Sequence, residues 1–307
     1  MISVSNLKKK YNNVEALKGI SFAIEQGEFY GLLGPNGAGK TTTISIMSSI
    51  LEPGEGTVSI GGLDLATQKE QCKRIIGVVP QEIALYNELS AQDNLMFWGG
   101  LYDVPNHELK LRIDETLKLF GLHDRRKDKV KGYSGGMKRR INIASALLHK
   151  PAVLFMDEPT VGIDPQSRNL IYEVIEKLHK DGMTIVYTTH YMEEAERFCD
   201  RIGIIDDGRI VAEGTLEELK SQSNVKEAIV VSFASLPDAA YDVLASGWPD
   251  ARRSGNSVHF FSGDLKRDLS GVIIKCNEAG LDISHIEIQS VNLETIFLTM
   301  TGKQLRD

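Results

Sequence analysis

The sequence predicts an α/β fold built on a parallel sheet, and three observations carry that prediction. The first is Gly34-Pro35-Asn36-Gly37-Ala38-Gly39-Lys40-Thr41, with Thr42 directly behind it, which fits G-x-x-x-x-G-K-[ST] at every fixed position. It stands between the apolar run 28–33 and a helix-like stretch at 41–51. The second is Ala152-Val153-Leu154-Phe155-Met156 followed by Asp157-Glu158-Pro159. Five apolar residues closed by two acids read as a central parallel strand with carboxylates at its C-terminal end, where open α/β sheets bind ligands. The third is a pair of further buried-type runs, 75–79 and 184–188, followed by Gln81 and His190 respectively.

The chemistry of the 34–41 loop explains its residue types. Successive backbone N–H groups must curl round a phosphate chain, which needs glycines free to take φ > 0. The helix that follows points its positive N-terminal end at the same anion. The pattern has Lys40 reach the β- and γ-phosphates and the Thr41 hydroxyl hold Mg2+. At ordinary residue frequencies the bare pattern arises by chance in on the order of one per cent of chains this long, and the flanking strand and helix lower that further.

Composition narrows the class. The 307 residues suffice for two domains, and hydrophobic and charged fractions of 42% and 25% are those of a soluble globular protein. A net charge of −7 argues against nucleic acid as a partner held by bulk electrostatics. Cys72, Cys199 and Cys276 are odd in number and widely spaced, which excludes a CxxC zinc motif and a disulfide framework and points to a reducing cytoplasm. The N-terminus lacks the apolar stretch of a signal peptide, and no run of 18 apolar residues occurs, so the chain is expected not to span a membrane.

In chain order, residues 2–7 and 17–24 alternate or run apolar as short strands, with Tyr11 in a Lys- and Asn-rich loop between them. Glu52-Pro53-Gly54-Glu55-Gly56 is a turn, 57–60 a strand, and Gly61-Gly62 a second turn. From 82 to 148 the signals become helical. Ser90-x-x-Asp93 caps a helix through 94–101, and 106–120 carries apolar residues at helical spacing. Tyr133-Ser134-Gly135-Gly136-Met137 opens another helix, through 148, with a hydroxyl and free N–H groups at its positive end. Taken alone, that loop reads better as a plain N-cap with a glycine turn. Asp164-Pro165 starts an amphipathic helix over 166–180, residues 201–206 and 209–212 form a hairpin across Asp207-Gly208, and Thr215-x-x-Glu218 caps a last helix.

With all these elements in order, residues 2–220 resemble an ATP-binding cassette (ABC) ATPase, a P-loop NTPase core with an antiparallel β subdomain and a helical subdomain. The resemblance makes Gly34, Asn36, Gly37, Ala38, Gly39, Lys40, Thr41 and Thr42 the phosphate loop and Tyr11 the aromatic that stacks on adenine. It places Gln81 in the Q-loop, on the nucleotide and in the Mg2+ shell with Thr41 and Asp157. It makes Ser134, Gly135 and Gly136 the phosphate-touching centre of the signature loop, Glu158 the base that polarises water, Asp164 the D-loop acid and His190 the switch histidine. Lys40, Glu158 and His190 are thus the implied catalytic set, and ATP and Mg2+ the implied ligands. The family usually reads Leu-Ser-Gly-Gly-Gln where this chain has Tyr133 and Met137 at the ends, a departure that resembles the branch energising export of drugs, antibiotics, ions or polymers. In that family two cassettes sandwich two ATP molecules, each site taking its signature loop from the other chain, and motion passes to an integral-membrane permease. A homodimer, peripheral on the inner face of the cell membrane, is therefore implied. An importer of the methionine type, which also carries a small C-terminal domain, and a non-transport cassette protein are the rival readings.

Residues 224–307 are expected to form a separate accessory domain. Strand-like 227–233, helical 237–245, a hairpin of 251–254 and 257–261 across Gly255-Asn256, helical 264–279 and strand-like 283–288 give a β-α-β-β-α-β order, a ferredoxin-like α+β module. It carries no nucleotide or metal pattern. A regulatory or dimer-stabilising role and a plain packing role are both consistent with it.

Overall fold

The computed structural model describes residues 1–301 apart from 224, 263 and 290. They divide into two compact units, Met1–Leu216 and one beginning at Glu217. The sequence-derived limit at 223 falls seven residues later, at the end of the helix Leu216–Ser223.

The first unit opens with β1 (Ile2–Tyr11), β2 (Val14–Ile24), β3 (Phe29–Leu33) and α1 (Lys40–Met47), then β4 (Glu55–Ile60), β5 (Leu63–Asp64), α2 (Lys69–Ile75) and β6 (Ile76–Val79). Three helices follow: α3 (Ala91–Gly100), α4 (Asn106–Leu119) and α5 (Gly135–Ser145). The chain then runs β7 (Val153–Asp157), α6 (Pro165–Lys180), β8 (Thr184–Thr189), α7 (Met192–Phe198), β9 (Arg201–Asp206) and β10 (Arg209–Gly214). Strands β2-β1-β4-β5 make an antiparallel sheet. Strands β9-β3-β8-β7-β6 are parallel, and β10 adds one antiparallel edge.

The parallel strands positioned at the centre are apolar throughout because both faces are covered: every residue of β3, β7 and β8 is buried. Their register decides what comes together. Leu33 pairs with Thr189, Asp157 with Thr188 and Val79 with Met156, so the loops after β3, β6, β7 and β8 leave the sheet at one edge. The helical segment packs against the central sheet: Leu95, Leu109, Ile113, Leu117, Ile141 and Leu148 are buried in one cluster with Phe29, Leu154 and Ile185. Ser90 caps α3 by accepting from Asp93 N–H, as its spacing predicts.

Three expectations need correction. Tyr11 is not in a loop but is the last residue of β1, paired with Val14 across a two-residue turn in which Asn12 takes φ +50°. The helix after the phosphate loop ends at Met47, because Ser49 takes φ +62°, and the helix after Ser134 stops at Ser145 rather than 148. Helices α2 and α7 were not anticipated. Each has seven residues, too short for a periodic pattern to declare itself.

From Glu217 onward the order is the rest of α8 (Leu216–Ser223), then β11 (Glu227–Phe233), α9 (Asp238–Gly247), β12 (Arg252–Ser254), β13 (Ser257–Ser262), α10 (Leu265–Glu278), β14 (Ile283–Gln289) and α11 (Leu293–Thr301). The antiparallel sheet order β12-β13-β11-β14 is that of a ferredoxin-like module. Ile229, Val231, Phe233, Val258 and Phe260 supply the sheet side of its core, and Leu244, Val272 and Cys276 the helix side.

Candidate functional site

At the shared strand edge of the first unit lies a cavity of about 600 Å³, lined by Asn36, Gly37, Gly39, Lys40, Thr41, Thr42, Gln81, Glu158 and His190 together with Ala16, Val161 and Tyr191. The loop after β3 forms one wall, and glycine is required there for two reasons. A Cβ at Gly34 would run into the Ile205 carbonyl, and Gly37 and Gly39 take φ of +82° and +113°. Gly34 and Ala38 are buried in the back of the loop.

Lys40 is only 4% exposed, and its ammonium spends its donors on three oxygens. It donates to Gly34 O at 2.7 Å and Pro35 O at 3.2 Å, and pairs with Glu158 Oε1 at 3.0 Å. The other Glu158 oxygen stands 3.2 Å from His190 Nδ1, near but not aligned as a hydrogen bond. Glu158 takes φ +44°, a left-handed conformation that a non-glycine residue adopts at a cost of about 1–2 kcal/mol. Its backbone is held on both sides of the Cα. Glu158 N–H donates to Thr188 O and Oγ1, at 3.2 and 3.0 Å, and its carbonyl accepts from Arg139 Nη2 at 3.0 Å.

Asp157, buried at the end of β7, accepts from Thr188 Oγ1 at 2.6 Å through one carboxylate oxygen. Asp157 is not among the residues lining the cavity, whereas the exposed Thr41 and Gln81 are; all three carry hard oxygen donors. That suits Mg2+, which binds through one or two protein oxygens plus phosphates. Among the described residues, no group of three or more His, Cys, Asp or Glu could hold a metal ion on its own.

The remaining sequence-derived residues do not line this cavity. Ser134 caps α5 by accepting from Met137 N–H at 3.2 Å, and with Gly135 it is exposed. Gly136 is buried, and a Cβ there would collide with Ser167 at the start of α6. Asp164 caps α6, and the Ser167 N–H that it accepts at 2.9 Å holds its carboxyl below the usual carboxylate range. Tyr11 is half-exposed, with the Lys9 ammonium 5.7 Å from its ring centroid.

Two residues escaped the sequence reading. Arg139 sits in a basic run, Lys138-Arg139-Arg140, that reads as a solvated face. Yet it falls three residues after Gly136 and four before Ile143, on the buried stripe of α5. Glu194 belongs to a charged run in α7 and is 4% exposed. It accepts from four hydroxyls: Thr160 (2.5 Å), Tyr172 (2.6 Å), Tyr187 (3.0 Å) and Thr189 (2.6 Å). Thr189 precedes His190, so this carboxylate ties the histidine's loop to the segment after Glu158. Burial, then the adjacent Glu194 charge, pushes the Tyr187 hydroxyl well above its ordinary pKa, so it remains a donor.

The comparisons agree with the geometry. The sequence model of the ABC transporter family matches residues 17–161. The chain is 44% identical to a linearmycin resistance ATP-binding protein of Bacillus subtilis (strain 168), with 100% of both chains covered. It is 35% identical to a daunorubicin resistance ATP-binding protein of Streptomyces coeruleorubidus, over 99% of this chain and 97% of that one. Among solved structures, it is similar to a dimeric post-hydrolysis ATP-binding cassette bound to ADP and Pi. The TM-score is 0.64 and the identity 30%, over 70% of this chain and 98% of the other.

Proposed function

We infer that this chain, which belongs to the ABC transporter family, is the ATP-binding and ATP-hydrolysing subunit of an exporter that works through a separate integral-membrane permease. The observation that carries this is the convergence of Lys40, Gln81, Glu158 and His190 on one cavity at one sheet edge. Two Lys40 donors are fixed on loop carbonyls, and the third meets Glu158. A phosphate oxygen competes for that third donor, releasing the carboxylate to polarise the attacking water. His190, whose Nδ1 is 3.2 Å from the other Glu158 oxygen, would contact the γ-phosphate. Thr41, Gln81 and Asp157 would hold Mg2+, which neutralises charge on the phosphates.

Ser134, Gly135 and Gly136 lie outside the cavity, and the chain carries one copy of each motif. They therefore act on the ATP of a second copy, in a homodimer with two equal sites; the dimeric cassette structure supports this reading. Tyr11 then serves the adenine. Similarity over the whole length to antibiotic resistance proteins, the second unit included, supports export of an antibiotic or other lipophilic compound. Residues 224–307 would then be an accessory unit acting in regulation or dimer stability. No helix of the described residues is long and apolar enough to cross a membrane, so attachment to the inner membrane face runs through the permease. The test is Glu158→Gln: the variant binds ATP, fails to turn it over and accumulates as a dimer. Hydrolysis at the wild-type rate would remove Glu158 as the base.

A further inference from the structure

The Arg139 guanidinium is 2% exposed and donates to three backbone carbonyls: Pro159 O from Nε at 2.6 Å, Pro80 O from Nη1 at 2.6 Å and Glu158 O from Nη2 at 3.0 Å. No carboxylate among the described residues pairs with it directly. Burying a cation on neutral oxygens is expensive, and for stability alone an apolar side chain of similar volume serves as well or better. Burial makes its charged form harder to hold, and the neighbouring Asp157 charge offsets part of that. The placement of the three carbonyls therefore calls for an explanation beyond packing.

Each carbonyl belongs to a different part of the site. That of Glu158 follows the Cα whose left-handed φ accompanies the contacts of its carboxylate with Lys40 and His190. That of Pro159 fixes the next peptide. That of Pro80 adjoins Gln81. The guanidinium itself stands on α5, one turn after Ser134, Gly135 and Gly136. A planar fork with donors in fixed directions can hold three carbonyls at once, which an ammonium on a flexible stem cannot.

We propose that Arg139 is a positioning residue for hydrolysis: it sets the aim of Glu158 and ties that aim to the Gln81 loop and to the helix that bears the signature loop. The effect of the partner's nucleotide on Ser134 would then reach the carboxylate of its own chain through one side chain. This rests on reading Glu158 as the base, and the experiment separates the two.

Steady-state ATPase rates, binding of a fluorescent ATP analogue and melting temperature are measured for Arg139→Met, Arg139→Gln and Arg139→Lys, each alone and with Glu158→Gln. With Glu158 intact, kcat is expected to fall about 100-fold in the Met and Gln variants, the scale of loss from a small misplacement of a reacting group. KM and analogue affinity stay within about threefold, and the Lys variant regains less than about a tenth of the lost rate, since it reaches fewer carbonyls. In the Glu158→Gln background the same changes alter the residual rate by less than about twofold, because residues acting as a unit are not additive. Wild-type kcat in folded Met and Gln variants overturns the proposal. So does loss of kcat only in step with loss of folded protein, or multiplication of the Arg139 and Glu158 losses. Unimpaired turnover by Glu158→Gln alone instead sinks the assignment of the base, whatever the Arg139 variants do.

Discussion

The two units of this chain bury different chemistry. In Met1–Leu216 the interior holds Lys40, Arg139, Asp157, Glu158 and Glu194, with Thr160, Thr188 and Thr189 among them. In the second unit the described core is Ile229, Val231, Phe233, Leu244, Val258, Phe260, Val272 and Cys276, and the buried polar side chains are Ser223 and Ser262. Both are open sheets with helices against them, so architecture alone does not require buried charge. A group that loses its water must be paired or hydrogen-bonded, and each such arrangement restricts what can move around it. Lys40, Asp157 and Glu158 stand where the central strands and their loops end, and Arg139 and Thr188 hold an unfavourable backbone at Glu158. The second unit solves only a packing problem.

Substitutions in each unit should therefore have different consequences. The largest effect is expected from Glu158→Gln, which removes the base and lowers kcat about 10²–10⁴-fold with ATP affinity retained, as read by turnover assays beside equilibrium binding. Lys40→Ala comes next. It deletes a charge-assisted hydrogen bond to phosphate and weakens ATP binding on the order of 10–100-fold by titration calorimetry; unchanged affinity would take Lys40 out of the site. In the second unit, Phe260→Ala empties the place where its ring meets Trp248 edge-on and costs that unit about 3–5 kcal/mol in denaturant unfolding. ATP affinity stays put if the units are as distinct as their interiors suggest, and a parallel loss of binding would contradict the contrast.

A smaller change is Glu194→Gln. It keeps the shape but replaces one carboxylate oxygen with a donor that faces hydroxyls already donating, at a cost of about 1–3 kcal/mol of stability. The rate loss is smaller than for Glu158→Gln, since Glu194 reaches His190 only through Thr189. The least effect belongs to His149, whose imidazole stacks on Tyr102 with Nε2 on the Ile76 carbonyl and whose pKa is lowered, chiefly by burial. A folded-state pKa below the unfolded value of about 6.5 means its contribution is present above that pH and lost as pH falls through the folded value. The acid-side decline in melting temperature should therefore be shallower in His149→Gln.

The same contrast explains what the sequence disclosed. The loop at 34–41, the strand end at Asp157-Glu158, the Ser90 cap and the β-α-β-β-α-β order are written in neighbouring residues, because turns, caps and strand periods are local physics. Lys40, Glu158 and His190 could be placed together because parallel strands end on one side. Arg139 and Glu194 were illegible, since each looks like one more charge in a polar run and acquires its role only from carbonyls or hydroxyls 19 to 59 and 5 to 34 residues away. Tyr11 was misplaced for a similar reason: Lys8-Lys9-Lys10 reads as loop, and pairing with 14–18 makes it strand.

In the proposed dimer, Ser134 of one chain completes the cavity of the other. Light scattering on Glu158→Gln with ATP, with and without Ser134→Arg, tests it most directly. Twice the 34.0 kDa chain mass is expected for the single variant with ATP, and the monomer mass for the double variant, which still binds ATP through Lys40. A double variant that dimerises as fully as the single one would contradict it.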